Sequence, residues 1–148
     1  VGGVKLNSLE DIWLDGENVK AGQSLNLKGD KAVRYIQYRG NDLEANARRM
    51  NRQKQFLTSL ANQVGNTVLN DFTNLSKYYN TLTPYFSTNV SLAQLTYLAQ
   101  SSLSANFGDK IEYKSIEGTL NQGEKWVEFI PNTDSIMQTV IDTFYIEK

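Results

Sequence analysis

Cysteine and histidine are both absent from these 148 residues. Without cysteine there is no disulfide framework, zinc–thiolate site or thiol nucleophile, and oxidising surroundings are harmless. Without histidine the commonest general base is missing, and with it any Ser-His-Asp arrangement confined to this chain. No apolar run approaches the roughly 18 residues expected of a membrane span, and no signal peptide is visible. Chemistry here must rest on charge, positioning or a metal. The chain opens at Val1-Gly2-Gly3-Val4 without methionine and already in strand-like sequence, which suggests a piece of a longer protein. Missing targeting segments therefore say little about a parent.

With 40% apolar residues and a mean hydropathy of -0.46, the chain reads as one globular domain, residues 1–148, long enough to bury a core. The formal charge of -1 hides an asymmetry. Between residues 34 and 54, Arg34, Arg39, Arg48, Arg49, Arg52 and Lys54 face only Asp42 and Glu44, leaving +4 there and -5 over the rest. One positive spot on a mildly acidic body fits a local anion site better than a track for nucleic acid.

Val4-Lys5-Leu6 and Ile12-Trp13-Leu14 read as short strands, the second closed by an Asp15-Gly16 turn, and Ser24 to Leu27 alternates as another. Asp30 is placed to cap a short helix carrying Ala32, Val33 and Ile36, which delivers Arg39 to a loop at Gly40. Met50, Leu57, Leu60, Ala61 and Val64 recur at helical spacing, predicting a longer helix from about Asn46 that Gly65 ends. Val68 to Tyr79 continues in helical period until Pro84, its aromatic residues read as core. Ser91 with Gln94 forms a capping box, with Val90 placed to staple onto Leu95 and Leu92, Leu95, Leu98 and Ala99 as the buried face behind it. Ile111 to Ile116 and Lys125 to Ile130 predict a hairpin, and a last helix from Thr133 buries Ile136, Val140, Ile141 and Phe144. Strands and helices interleave, which predicts an α/β (α+β) class.

The arginines crowd a predicted loop and the first turns of the long helix, where Arg49, Arg52 and Gln53 share one side. Guanidinium groups this close repel one another unless an anion lies between them, and their planar forks suit phosphate oxygens. A helix N-terminus adds outward-pointing N–H groups and partial positive charge. Cations placed there oppose the dipole, so stability alone does not favour them. A phosphate or diphosphate ligand is the natural reading, against the plainer one of a solvated charged face. Asp42 and Glu44 are read as solvated carboxylates rather than as metal ligands.

Ala32-Val33-Arg34-Tyr35-Ile36-Gln37-Tyr38-Arg39 resembles the A-L-x-Y-V-R-x-R segment of LytR-CpsA-Psr proteins, and Asn46 to Gln53 resembles the D-x-G-R-x-x-R-Q segment that follows it. Val1 to Val4 is similar to the G-G-V strand of that family. The likeness covers nearly all 148 residues but only the later part of the family's domain. It implies a central mixed sheet sandwiched by helices around a lipid groove. It also implies an extracytoplasmic phosphotransferase of the bacterial cell envelope, membrane-anchored in its parent, that moves a glycopolymer of teichoic acid or capsule type from a polyprenyl diphosphate carrier to peptidoglycan with Mg2+. Matched position by position, Arg39, Arg49, Arg52, Gln53 and Gln37 are the expected diphosphate-binding residues. No catalytic residue and no metal ligand falls within the matched part.

Two departures stand out. Gln37 replaces the family's usual arginine and Asn46 its aspartate, which removes one charge from the phosphate cradle and one carboxylate behind it. The acidic metal ligands belong to the upstream half, so the fragment is expected to be inactive alone. Leu57, Leu60, Phe72 and Tyr79 are read as core rather than as groove lining. Two rival readings are a transcriptional attenuator contacting nucleic acid, disfavoured for want of a recognition helix, and a noncatalytic envelope-binding module.

Overall fold

The computed structural model describes residues 2–40, 42, 44–103, 113–124 and 126–145. These form two compact units, Val1–Tyr38 with Arg49–Ile111, and Arg39–Arg48 with Glu112–Lys148. The mixed α/β class is as the sequence predicts. Strand pairing among the described residues is antiparallel throughout and divided among three two-stranded sheets.

In the first unit, β1 (Val4–Asn7) pairs with β4 (Ser24–Leu27), and between them β2 (Ile12–Leu14) and β3 (Glu17–Val19) make a hairpin. The Asp15-Gly16 turn has positive φ at both residues, 53° and 85°. That is the mirror-image turn whose twist matches the flanking strands, and Asp-Gly is among the pairs that adopt it most readily. Alternation in the strands turns Val4, Leu6, Ile12, Leu14, Val19, Leu25 and Leu27 to one interior, where they bury together with Tyr35. Helix α1 (Gly29–Gln37) lies on this interior through Tyr35, with Ala32 and Ile36 beside it. Two expectations change here. Lys28, not Asp30, is the N-cap, because the Lys28 carbonyl already accepts from the Lys31 and Ala32 amides. Val33 stays exposed, and Tyr35 is the residue the helix buries.

Helix α2 runs from Ala45 to Asn70 and passes straight through Gly65. A glycine ends a helix by turning left-handed, and Gly65 keeps a helical backbone, with the Thr67 hydroxyl bonded back to the Gln63 carbonyl at 2.7 Å. The break comes at Asp71, whose carboxylate accepts from the Thr73 amide and hydroxyl at 2.9 and 2.7 Å. Helix α3 (Thr73–Leu82) follows and ends in a 3-10 turn, Thr83–Tyr85, that carries Pro84. The Tyr79 hydroxyl then donates to the Val90 carbonyl at 3.0 Å, tying down the next loop. The capping box at Ser91 forms in both directions: the Ser91 amide donates to Gln94 Oε1 at 2.8 Å, and the Gln94 amide donates to Ser91 Oγ at 3.3 Å. It opens α4 (Leu92–Leu103), on which Leu98 faces water rather than the expected buried side.

In the second unit, β5 (Gly118–Gln122) pairs with β6 (Val127–Pro131), and α5 (Thr133–Phe144) follows. Asn132 caps α5, its side chain accepting from the Asp134 and Ser135 amides. The hairpin is real but displaced. β5 takes residues expected to form the connection, while 113–117 carry no regular structure and 111–112 lie outside the described residues. Val140, Ile141 and Phe144, expected in the core, are exposed.

Candidate functional site

The two arginine motifs meet where α1 ends against α2. The last turn of a helix leaves carbonyl groups without intrahelical partners, and basic side chains are well suited to satisfy them. Arg52 does so at the end of α1: its Nε donates to the Tyr35 carbonyl at 3.2 Å and its Nη2 to the Tyr38 carbonyl. Its Nη1 pairs with the Glu10 carboxylate from the loop between β1 and β2, and its guanidinium lies 5.2 Å from the centre of the Tyr38 ring. Gln53 adds a bond from Nε2 to the Ile36 carbonyl at 3.2 Å. The Arg52 side chain is 1% exposed, and burial draws its pKa below the ordinary arginine value. A guanidinium is tolerated at that depth because a carboxylate and two carbonyls replace the water it gave up.

Further along the same face of α2, Gln55 bonds the Asn7 carbonyl at 2.7 Å and accepts from the Tyr35 hydroxyl at 2.8 Å. Gln63 bonds the Lys5 backbone on both sides, accepting from its amide at 3.1 Å and donating to its carbonyl at 3.3 Å. The free edge of β1 is thereby covered by glutamine side chains instead of another strand. Tyr35 at the centre of this network is fully buried, which raises its pKa. Arg52 and Gln53 thus tie α1 to α2.

The other expected diphosphate residues are placed differently. Gln37 and Arg39 are exposed and Arg49 is half-buried on the first turns of α2. Arg39 belongs to the second unit, while Gln37, Arg49, Arg52 and Gln53 belong to the first. In the second unit Arg48 is held by Asp42 at 2.5 Å and Glu44 at 3.9 Å. Asp42 also accepts from the Glu44 amide at 3.0 Å, putting an acid at the start of α2 where the dipole favours one. The Arg48 guanidinium holds the Asp42 carboxyl below the usual carboxylate range. No group of three or more acidic residues able to hold a metal ion exists among the described residues, and the resemblance places the Mg2+ ligands upstream of this chain.

One cleft passed unnoticed in the sequence. It encloses about 270 Å³ and is lined by Trp13, Leu14, Asp15, Arg34, Gln37 and Tyr38. Arg34 Nε bonds Asp15 at 2.7 Å across it, linking the β2–β3 turn to α1. The signal was available: Trp13 stands between two buried residues of a strand, so its ring must face outward.

A mixed α/β domain whose first helix is seated on the second by an arginine motif is the class that the structure defines. The LytR-CpsA-Psr family model matches residues 1–143, and the chain belongs to that family. Three solved structures share the fold. B. subtilis TagU is 19% identical, with a TM-score of 0.63 over 99% of this chain and 58% of its own. A protein of Enterococcus faecalis described as a transcriptional regulator is 18% identical, with a TM-score of 0.68 over 93% of this chain and 49% of its own. The Lin1025 protein of Listeria innocua is 20% identical, with a TM-score of 0.61 over 95% of this chain and 57% of its own. The chain thus spans about half the length of each. No curated protein matches it by sequence. No described helix is long and apolar enough to cross a membrane.

Proposed function

We propose that this chain is the later part of an extracytoplasmic cell-envelope phosphotransferase that transfers a teichoic-acid-type or capsule-type glycopolymer from a polyprenyl diphosphate carrier to peptidoglycan. The observation that carries the reading is the family match over residues 1–143, which contains both arginine motifs. In this reading Arg49 grips the diphosphate and Gln37 adds a neutral donor, and Arg39 is assigned to the same ligand by its place in the family motif alone. Arg52 and Gln53, assigned to the diphosphate by the same motif, are bonded to the Tyr35, Tyr38 and Ile36 carbonyls and, through Arg52, to the Glu10 carboxylate, and so fix the helix that carries Gln37. A peptidoglycan hydroxyl attacks the sugar-proximal phosphorus, a new P–O bond forms, and the bond to the bridging oxygen breaks to release polyprenyl phosphate. The arginines offset charge on the phosphoryl oxygens as the bridging bond breaks. No residue of this chain is assigned as the base that takes the hydroxyl proton, and no Mg2+ ligand is assigned here. The 148 residues are proposed to be inactive alone, with membrane anchoring and metal binding supplied by the rest of the protein.

The test is transfer of a labelled lipid-linked donor to peptidoglycan by the complete protein. Arg39→Ala and Arg49→Ala should each lower the rate by about tenfold to a hundredfold, the loss of a charge-assisted contact. Unchanged rates in both would overturn the assignment. A second reading, a regulator contacting nucleic acid, draws on the Enterococcus faecalis neighbour's description. It calls for DNA binding that falls steeply with salt, and the net charge of -1 speaks against it.

A further inference from the structure

The cleft between the β2–β3 hairpin and α1 has a composition that phosphate does not need. Strand alternation buries Ile12 and Leu14 and leaves Trp13 63% exposed, opposite Asn18 on β3. A large ring held outward on a short, turn-locked strand is a rigid flat surface. Tyr38 lines the cleft as well, its backbone and ring fixed by the buried Arg52. The polar residues are Asp15, Arg34 and Gln37, and the two charges cancel in a 2.7 Å ion pair. Arg34 and Gln37 are one helical turn apart and so share a face of α1. The cleft therefore offers aromatic surface, planar donors and acceptors, and no net charge.

We propose that this cleft is a saccharide subsite in which Trp13 stacks on the C–H face of a neutral pyranose while Asp15, Arg34 and Gln37 take its hydroxyls. A pyranose presents an apolar face and an equatorial rim of donors and acceptors. A flat aromatic residue with two or three planar polar groups is the matching surface. An anion would need uncompensated positive charge, which Asp15 removes. The choice of glycan rests on the envelope-glycopolymer reading above, whereas the stacking geometry does not.

Two tryptophans are present in the chain, so Trp126→Phe leaves Trp13 as the sole reporter. Its fluorescence should change saturably on titration with a tetramer of β-1,4-linked N-acetylglucosamine or with maltotetraose, and not with inorganic pyrophosphate. By calorimetry, Trp13→Ala should weaken tetrasaccharide binding about tenfold or more, and Gln37→Ala several-fold. Both side chains point outward, so circular dichroism and Tm should match the parent chain. Absence of binding by either tetrasaccharide, unchanged affinity in Trp13→Ala, or a Trp13 response to pyrophosphate alone would overturn the proposal. Each of these results is compatible with transfer by the complete protein. Conversely, saccharide binding without transfer would overturn the enzyme reading and leave the subsite standing.

Discussion

Two hairpins with tight turns lie in this chain, and among the described residues only one of them has a dry face. In β2–β3 the apolar residues Ile12, Leu14 and Val19 are at most 2% exposed. In β5–β6, Leu120, Phe129 and Ile130 are 44 to 52% exposed, and the apolar residues of α5 after Ile136 are exposed as well. Strand pairing does not explain the contrast, since both hairpins are paired in register along their whole length. The first hairpin has a second layer, α1 with Tyr35, to exclude water. Alternation creates a face, but burial needs something to set against it.

The contrast is tested most strongly at Arg52, which joins the β1–β2 loop, α1 and α2 in the first unit. Arg52→Ala should destabilise that unit by about 3–5 kcal/mol, because the buried Tyr35 carbonyl, the part-buried Tyr38 carbonyl and the partly exposed Glu10 carboxylate all lose their charged donor. Urea unfolding followed by tryptophan fluorescence measures it, and Arg52→Lys should recover only part of the loss. A change below about 1 kcal/mol would show that the guanidinium is not an interior brace. Next in size, Leu14→Ala should cost about 2–5 kcal/mol as a core truncation, while Phe129→Ala stays within about 0.5 kcal/mol as a surface change. Equal losses at the two positions would erase the distinction between the hairpins.

Strands with strict alternation and helices with explicit start signals were legible in advance. Val4 to Leu6, Ile12 to Leu14, Ser24 to Leu27, the Asp15-Gly16 turn, the Ser91 capping box and the helix at Thr133 all fall where the sequence places them. What misled was the inner face of α2. Met50 and Leu57 carry the helical period yet are exposed, while Arg52 is buried, with Gln53, Gln55 and Gln63 bonded beside it. A helix that covers a strand edge and another helix's end faces backbone donors and acceptors, so polar side chains pack inward. Hydrophobic periodicity is blind to that arrangement. The arginine motif was likewise visible as chemistry, but its chemistry is shared: the fork that suits a phosphate also suits a set of carbonyls and a carboxylate. Trp13 could have been placed outward from alternation alone, and the cleft beside it needed the turn and α1 in position.

A smaller effect lies at the free edge of β1. β1 is covered by Gln63, whose side chain makes both bonds to Lys5. Gln63→Ala should lower stability by about 1 kcal/mol and speed hydrogen exchange at the Lys5 amide, with the β5–β6 amides unaffected. Unchanged exchange at Lys5 would mean that the edge is protected by packing and not by the amide side chain.

The smallest effect lies at the start of α2, in the exposed pair of Asp42 and Arg48. The Asp42 pKa is depressed in the folded chain, chiefly by its bond to the Arg48 guanidinium. A depressed carboxylate contributes stability above its unfolded value, near 3.8, and loses that contribution as pH falls through the folded value. Because the pair is solvated, the readout is titration rather than unfolding. Carbonyl-detected NMR should place the Asp42 midpoint below 3.8 in the native chain, and Arg48→Ala should raise it toward that figure. A midpoint that ignores the substitution would mean that the Glu44 amide, and not the arginine, sets the charge at this helix end.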